Sequence, residues 1–205
     1  MEIYRANELN FDCREDIATI FAEGFTQWLG YFSKDPQVIA QAFAHAFQLE
    51  YFFVAVSGGR VVGIVACTDC RHLSLKFNKS ELLRHLGWFK GTIAERVLPR
   101  EFAAPFKNPP KNTGSIEFVR VAAQARNSGV ASRMLKTVIA QTSYADFIIE
   151  EVADTNLAAM ALYQKLGFIE TKRRPLSVKQ AQRIGINAFV SWKLTKDHST
   201  VLVNN

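Results

Sequence analysis

The stretch Arg126-Asn127-Ser128-Gly129-Val130-Ala131 puts a cation, a hydroxyl and a glycine where an apolar, strand-like run gives way to a helical pattern. Residues of those types at a strand-to-helix turn suit an anion. The first N–H groups of a helix lack internal acceptors, and the peptide dipoles add about half a positive charge there, so a phosphate is stabilised. Gly129 allows backbone to approach a ligand closely, and Ala131 keeps side-chain bulk away. So short a pattern also describes an ordinary turn, and it gains weight only from a second one. That second pattern is NLAAMALYQKLGF, from Asn156 to Phe168. Asn156, Ala159 and Tyr163 fall at i, i+3 and i+7, on one face of a helix, and Gly167 closes that helix before a strand. Asn156 is also a residue type that caps helices. A C-x-x-C at Cys67 and Cys70, followed by His72 and His85, invites a metal reading. A closed zinc site takes about four ligands, and one such pair at a strand end falls short, so no metal is expected. No Ser-His or Cys-His pair recommends itself for a covalent intermediate.

The elements that must hold these residues follow from periodicity. Ile3 and Tyr4 open a short strand; Ile17, Ile20, Phe21, Phe25 and Trp28 predict a helix over 14–29. Asp35-Pro36 reads as an N-cap with proline in the first turn of a second helix running through Val38, Ile39, Phe43 and Phe47. YFFVAVSGGRVVGIVAC is a hairpin, its turn marked by Gly58 and Gly59. Leu82, Leu86, Phe89, Ile93 and Val97 predict an inserted helix over 79–97, capped by Asn78 with Glu81, followed by a loop, with Trp88 and Phe89 packed in a core. Beyond Ser115 strands and helices alternate. Strands are expected over 116–121, 146–152, 168–172 and 188–194, and helices through Val130, Met134, Leu135, Val138 and Ile139 and over 156–166. Hairpins imply antiparallel neighbours and the β-α-β part implies parallel ones, so the sheet is expected to be mixed.

Together R-x-x-G-x-A at Arg126 to Ala131 and N-x-x-A-x-x-x-Y-x-x-x-G-F at Asn156 to Phe168 resemble the GNAT superfamily of acyl-CoA-dependent N-acetyltransferases. The resemblance implies an α/β fold with a mixed, splayed central sheet of six to seven strands flanked by helices. Residues 1–195 would form one such domain, 68–113 being an insertion between the third and fourth strands and a candidate acceptor-side lid, with 196–205 as a tail. It implies acetyl-CoA as co-substrate. Backbone around Arg126, Ser128, Gly129, Val130 and Ala131 would hold the pyrophosphate. The strand near Val119 and Val121 would pair with the pantetheine arm and polarise the thioester carbonyl. Asn156 would hydrogen-bond the cofactor, and Tyr163 would lie near its sulfur. Ala131 stands at a position where glycine is the commoner choice, an accepted variant.

The chemistry of such a transfer needs a neutral amine, although a primary amine with a pKa near ~10 is mostly protonated at neutral pH. Glu117 is the candidate base, since it shares a strand with Val119 and Val121 and burial would raise its pKa. Tyr163 is the candidate acid for the departing thiolate. Direct transfer in a ternary complex is expected.

Composition sets the outer limits. The 48% hydrophobic and 21% charged residues are ordinary for one globular domain, and a net charge of +6 favours anionic ligands without approaching what nucleic-acid binding demands. Absence of a leader-like start or a long apolar run, with only three cysteines, points to a soluble cytoplasmic protein that engages no membrane. The partner expected is a small-molecule or peptide amine, and not nucleic acid. The basic, aromatic insertion leans towards a small or acidic acceptor. Oligomeric state stays open, a homodimer included. The alternative to an enzyme is a non-catalytic acyl-CoA-binding module.

Overall fold

A computed structural model describes residues 1–104 and 106–196, apart from the side chains of Thr26 and Gln27. The expected tail lies outside the described residues from position 197 onward.

Alternation of apolar residues dictates a sheet buried on both faces. In the hairpin of β2 (Phe52–Ser57) and β3 (Arg60–Thr68), Phe52, Val54, Ile64 and Ala66 point to one layer, while Phe53, Ala55, Val65 and Cys67 point to the other. The turn between them places Gly58 and Gly59 at φ 58° and 74°, which glycine adopts without steric cost. The first layer is covered by α1 (Arg14–Leu29), α2 (Pro36–Ala44) and α3 (Lys79–Phe102). The second is covered by α4 (Val130–Gln141) and α5 (Leu157–Lys165). Phe21 organises the first layer, its ring meeting those of Phe25, Phe43, Phe47, Phe102 and Phe118.

The remaining strands are β1 (Glu2–Arg5), β4 (Thr113–Val121), β5 (Asp146–Ala153), β6 (Ile169–Pro175) and β7 (Ala188–Thr195). The seven strands run in the order β1-β2-β3-β4-β5-β7-β6, and β4 with β5 is the parallel neighbour pair. That pairing covers only Thr113, Gly114 and Ser115 against Asp146, Phe147 and Ile148, after which the strands part. Both strands are bulged just beyond the parting. Two residues of β4, Phe118 and Val119, oppose Val65 of β3, and Glu150 and Glu151 of β5 oppose Ser191 of β7. Phe118 and Glu151 sit at φ 53° and 56°. A non-glycine residue there costs about 1–3 kcal/mol, offset at Phe118 by ring contacts with Phe21, Phe25 and Phe52.

Three expectations need correction. The inserted helix is interrupted: Gly87 has φ 76° and ψ 166°, so the apolar face restarts beyond it on Gly91, Ala94 and Leu98. Trp88 and Phe89 are consequently 77% and 65% exposed rather than in the core. A sixth helix, α6 (Val178–Ile184), lies between β6 and β7, held by a capping box of Ser177 and Gln180. Asn78 does cap α3, accepting from the Ser80 N–H. No helix among the described residues is long and apolar enough to cross a membrane.

Closeness at the paired end of β4 and β5 rests on Gly114, where a Cβ would stand 2.7 Å from Tyr144 Cδ2 and 3.1 Å from both Cys67 Sγ and Phe147 Cδ1. Gly114→Ala should therefore destabilise the fold by about 1–3 kcal/mol in urea unfolding, through overpacking.

Candidate functional site

Where β4 and β5 part, the edges that face each other have no strand partner, and a cleft of about 1140 Å³ opens between them. Its walls are Glu117 to Arg120 from β4 and Ile149 to Ala153 from β5. Gly24, Phe25 and Trp28 of α1 and the end of α3 close the first-layer side, and Asn156 and Tyr163 reach it from the α5 side. An opening between two parallel strands exposes backbone N–H and C=O groups that an extended, amide-bearing chain can pair with.

Glu117 lies in this wall with its carboxylate held by hydroxyls. The Thr68 hydroxyl donates to Oε1 at 3.2 Å and the Ser74 hydroxyl to Oε2 at 2.5 Å. Burial pushes the Glu117 carboxyl above its usual range, and the hydroxyls of Ser74, Ser115 and Thr68 only partly oppose it. A buried carboxylate with a raised pKa accepts protons more readily than a solvated one.

Tyr163 is 5% exposed, in the second-layer core beside Phe168 and Trp192. Burial pushes its hydroxyl up to about 12, with the Arg120 charge the one opposing influence. The phenol is thus a proton carrier at any physiological pH. Glu117 and Tyr163 both line this cleft, the first from β4 and the second from the α5 side.

Of the other expected residues, Val119 and Asn156 line the cleft. Asn156 caps α5, its Oδ1 accepting from the Ala159 N–H at 3.3 Å, so its amide N–H groups stay available. Val121, Arg126, Ser128, Gly129, Val130 and Ala131 stand outside the lining, where β4 leads into α4. There Gly129 is left-handed at φ 79° with open space where a Cβ would be. The N–H groups of Asn127, Ser128 and Gly129 find no acceptor among the described residues, as an anion cradle requires. The Arg126 guanidinium donates through Nε to the Val121 carbonyl at 3.2 Å, and the Ser128 hydroxyl to the Ala125 carbonyl at 2.6 Å. Val130, the first residue of α4, is buried in the second-layer core and presents no side chain to a ligand. Cradle and cleft together fit a long donor with a phosphate-bearing end and an extended arm.

Sequence reasoning missed several lining groups. Ser74 came from a segment without a recognisable motif, and Thr68, the last residue of β3, bonds Glu117 without itself lining the cleft. Glu150 and Glu151 lay in plain view within the apolar run DFIIEEVA. Both line the cleft, and Glu151 pairs with Arg174 at 2.5 Å. Together with Glu101 and Glu117 they give the cleft a carboxylate-bearing lining that the insertion's composition did not announce. The cysteines of C-x-x-C are buried, their thiols pushed up to about 12 and about 11, and the Cys70 thiol bonds the Thr113 carbonyl at 3.4 Å. Neither is a ready nucleophile.

Comparisons agree with this geometry. The Acetyltransferase (GNAT) family profile matches residues 14–168. An N-acetyltransferase from Staphylococcus aureus Mu50 is similar in fold with TM-score 0.62 and 16% identity, over 95% of this chain and 100% of that one. A ribosomal-protein-alanine N-acetyltransferase from Brucella melitensis gives TM-score 0.53 and 16% identity, over 96% and 100%. An agmatine N-acetyltransferase variant in its apo form gives TM-score 0.55 and 14% identity, over 95% and 99%. No curated relative matches.

The raised pKa of Glu117 has a consequence for stability. A carboxyl whose folded value exceeds its unfolded one contributes stability below the unfolded value that is lost as pH rises through the folded value. Glu117→Gln should therefore raise the melting temperature around pH 8, and the advantage should vanish at about pH 4, where both states of the wild type hold the proton. Thermal melts across that range check it.

Proposed function

Because the chain belongs to the GNAT acetyltransferase family and is thereby an acyltransferase, we propose that it transfers an acetyl group from acetyl-CoA to a primary amine, with both substrates bound together. The observation that carries this reading is the convergence of Glu117 and Tyr163 on the cleft where β4 and β5 part. The N–H groups of Asn127 to Gly129 bind the pyrophosphate, and the unpaired edge of β4 around Val119 and Val121 pairs with the pantetheine arm. One N–H of that edge polarises the thioester carbonyl, an interaction typically worth about 3 kcal/mol as charge develops. When bound, the donor supplies an activated acyl carbon and a thiolate leaving group.

Glu117 takes the amine proton, directly or through the hydroxyls of Ser74 and Thr68. Tyr163 gives its proton to the departing sulfur. No enzyme-bound acyl group is required, in keeping with the raised thiol pKa values of Cys67 and Cys70. Glu101 and Glu150 offer carboxylates to the acceptor amine, with Arg100 and Arg120 in the same lining, and Phe25, Phe102, Phe118 and Phe189 provide apolar walls for its body. The free state of the described cysteines suits a reducing, cytoplasmic setting.

An amine panel followed by release of CoA thiol tests the activity. With an active acceptor, Tyr163→Phe should lower kcat by at least tenfold and leave KM for the donor nearly unchanged, since a proton given only in the transition state does not contribute to ground-state binding. Donor binding with no thiol release from any amine would replace the enzyme by an acyl-CoA-binding module.

A further inference from the structure

The bulge in β4 decides which of its side chains meet. Glu117 stands opposite Ala66 and Arg120 opposite Ile64, while Phe118 and Val119 share Val65 between them. Residues three apart on a regular strand point to opposite faces; the extra residue brings these two to the same one. Ala66 and Ile64 belong to the first layer, so Glu117 and Arg120 both face the α1 side of the sheet. Their backbone positions lie two rungs of the ladder apart, about 7 Å. Both side chains line the cleft.

Helix α1 holds the guanidinium in place. Its Cζ lies 5.6 Å from the centroid of Phe25. A Cβ at Gly24 would stand 2.0 Å from Nε, 2.1 Å from Nη2 and 2.2 Å from Cζ of Arg120, so this seat exists because position 24 is glycine. Gly24 and Phe25 are themselves in the cleft lining. The ring offers the charge a π face but no acceptor oxygen. Among the described residues no carboxylate or carbonyl accepts a hydrogen bond from Arg120, and Glu23 acts on its charge without forming an ion pair. This half-buried cation has given up part of its water and gained no anion, and arginine cannot shed its proton to escape the cost. Arg100, which shares the lining, is exposed to solvent.

We propose that Arg120 anchors a carboxylate of the acceptor, and that the acceptor is therefore a small amino carboxylate, its amine at Glu117 and its acid group at Arg120. This rests on the acetyl-transfer reading above and deepens it to a class of substrate. Side chains that leave one strand face about 7 Å apart bracket a molecule of amino-acid size. The parallel N–H groups of a guanidinium match the two oxygens of a carboxylate. The donor's phosphates are not the anion concerned, since the turn at Asn127 to Gly129 leads into α4, which covers the opposite layer. A phosphate dianion on the acceptor would stand among Glu101, Glu117 and Glu150, which favours a monoanion. Phe118 faces the first layer between the two charged groups and, with Phe25, gives an apolar body its wall.

Matched pairs of acceptors test this, each acid against the amine that lacks the carboxylate: phenylalanine against phenethylamine, and γ-aminobutyrate against propylamine. With acetyl-CoA present and thiol release followed, the acid should be preferred in kcat/KM by roughly tenfold or more in at least one pair. Arg120→Gln should raise KM for that acid by a similar factor and collapse the preference, and Arg120→Lys should retain part of it. Gly24→Ala displaces the guanidinium without deleting it; it should act like Arg120→Gln and serves if that variant folds poorly. Calorimetric titration of the same acid into protein saturated with free CoA reads the anchor without turnover, and both variants should weaken binding there too.

Bare amines taken as well as their acids in both pairs, or a preference that survives both variants, overturns the proposal. So does Arg120→Gln raising KM for acetyl-CoA in place of that for the acid, or phosphoethanolamine preferred over both acids. Thiol release from bare amines alone leaves the acetyltransferase standing and sinks only the anchor. No release from any amine sinks the acetyl-transfer reading, and calorimetry then still decides the anchor: acid binding lost in both variants upholds it, and no acid binding by the wild type removes it.

Discussion

Everything functional in this fold depends on two parallel strands that stop pairing. β4 and β5 share one short stretch of register at Thr113 to Ser115 and then separate. Parallel strands buried on both faces ordinarily stay paired, because an unpaired backbone group away from water costs free energy. Here the separation is enforced from both outer neighbours. The bulge against β3 turns Phe118 into the aromatic cluster around Phe21, and the bulge against β7 places Glu151 at positive φ beside Arg174. The strain at Phe118 is held in place by ring packing, so the cleft is a product of core energetics. Unpaired strand edges in turn create the demand for a ligand that can satisfy them.

Burial then sets the chemistry. The same low-dielectric surroundings raise the pKa of Glu117 and of Tyr163, favouring the neutral acid in each case. For Glu117 this makes a better base once ionised; for Tyr163 it makes a weaker acid. Hydroxyls temper the first effect and the Arg120 charge tempers the second. A carboxyl and a phenol lining one cavity are thus tuned by different devices, each against the cost of burial. Such local costs are common where a site must be ready before its substrate arrives.

Much of this was legible in the sequence where the signal is local. Gly58 and Gly59 mark a hairpin because the turn needs positive φ; Asp35-Pro36 and Asn78 mark helix starts because caps are short-range. The spacing of Asn156, Ala159 and Tyr163 put Ala159 and Tyr163 on α5 with Asn156 at its cap, and the sheet is mixed and splayed as the motifs implied. What stayed hidden depends on distant partners. Nothing near Phe118 or Glu151 announces a left-handed residue, since the cause lies in Phe21 and in the register with β7. Gly87 interrupts an otherwise regular apolar repeat, and periodicity carried through it put Trp88 and Phe89 on the wrong side. The capping box of Ser177 and Gln180 is a local signal as well, and it starts α6. The fit between Arg120 and Gly24 joins positions far apart in the chain, and only the fold reveals it.

The central claim is that the parted edge of β4 and the turn before α4 together receive the acyl donor. Hydrogen exchange of backbone amides with and without saturating acetyl-CoA tests it most directly. The account predicts slowed exchange at Val119 to Val121 and at Asn127 to Val130, with the β2–β3 hairpin unchanged. Saturated binding that leaves those amides exchanging as before, or that protects another surface, would contradict it.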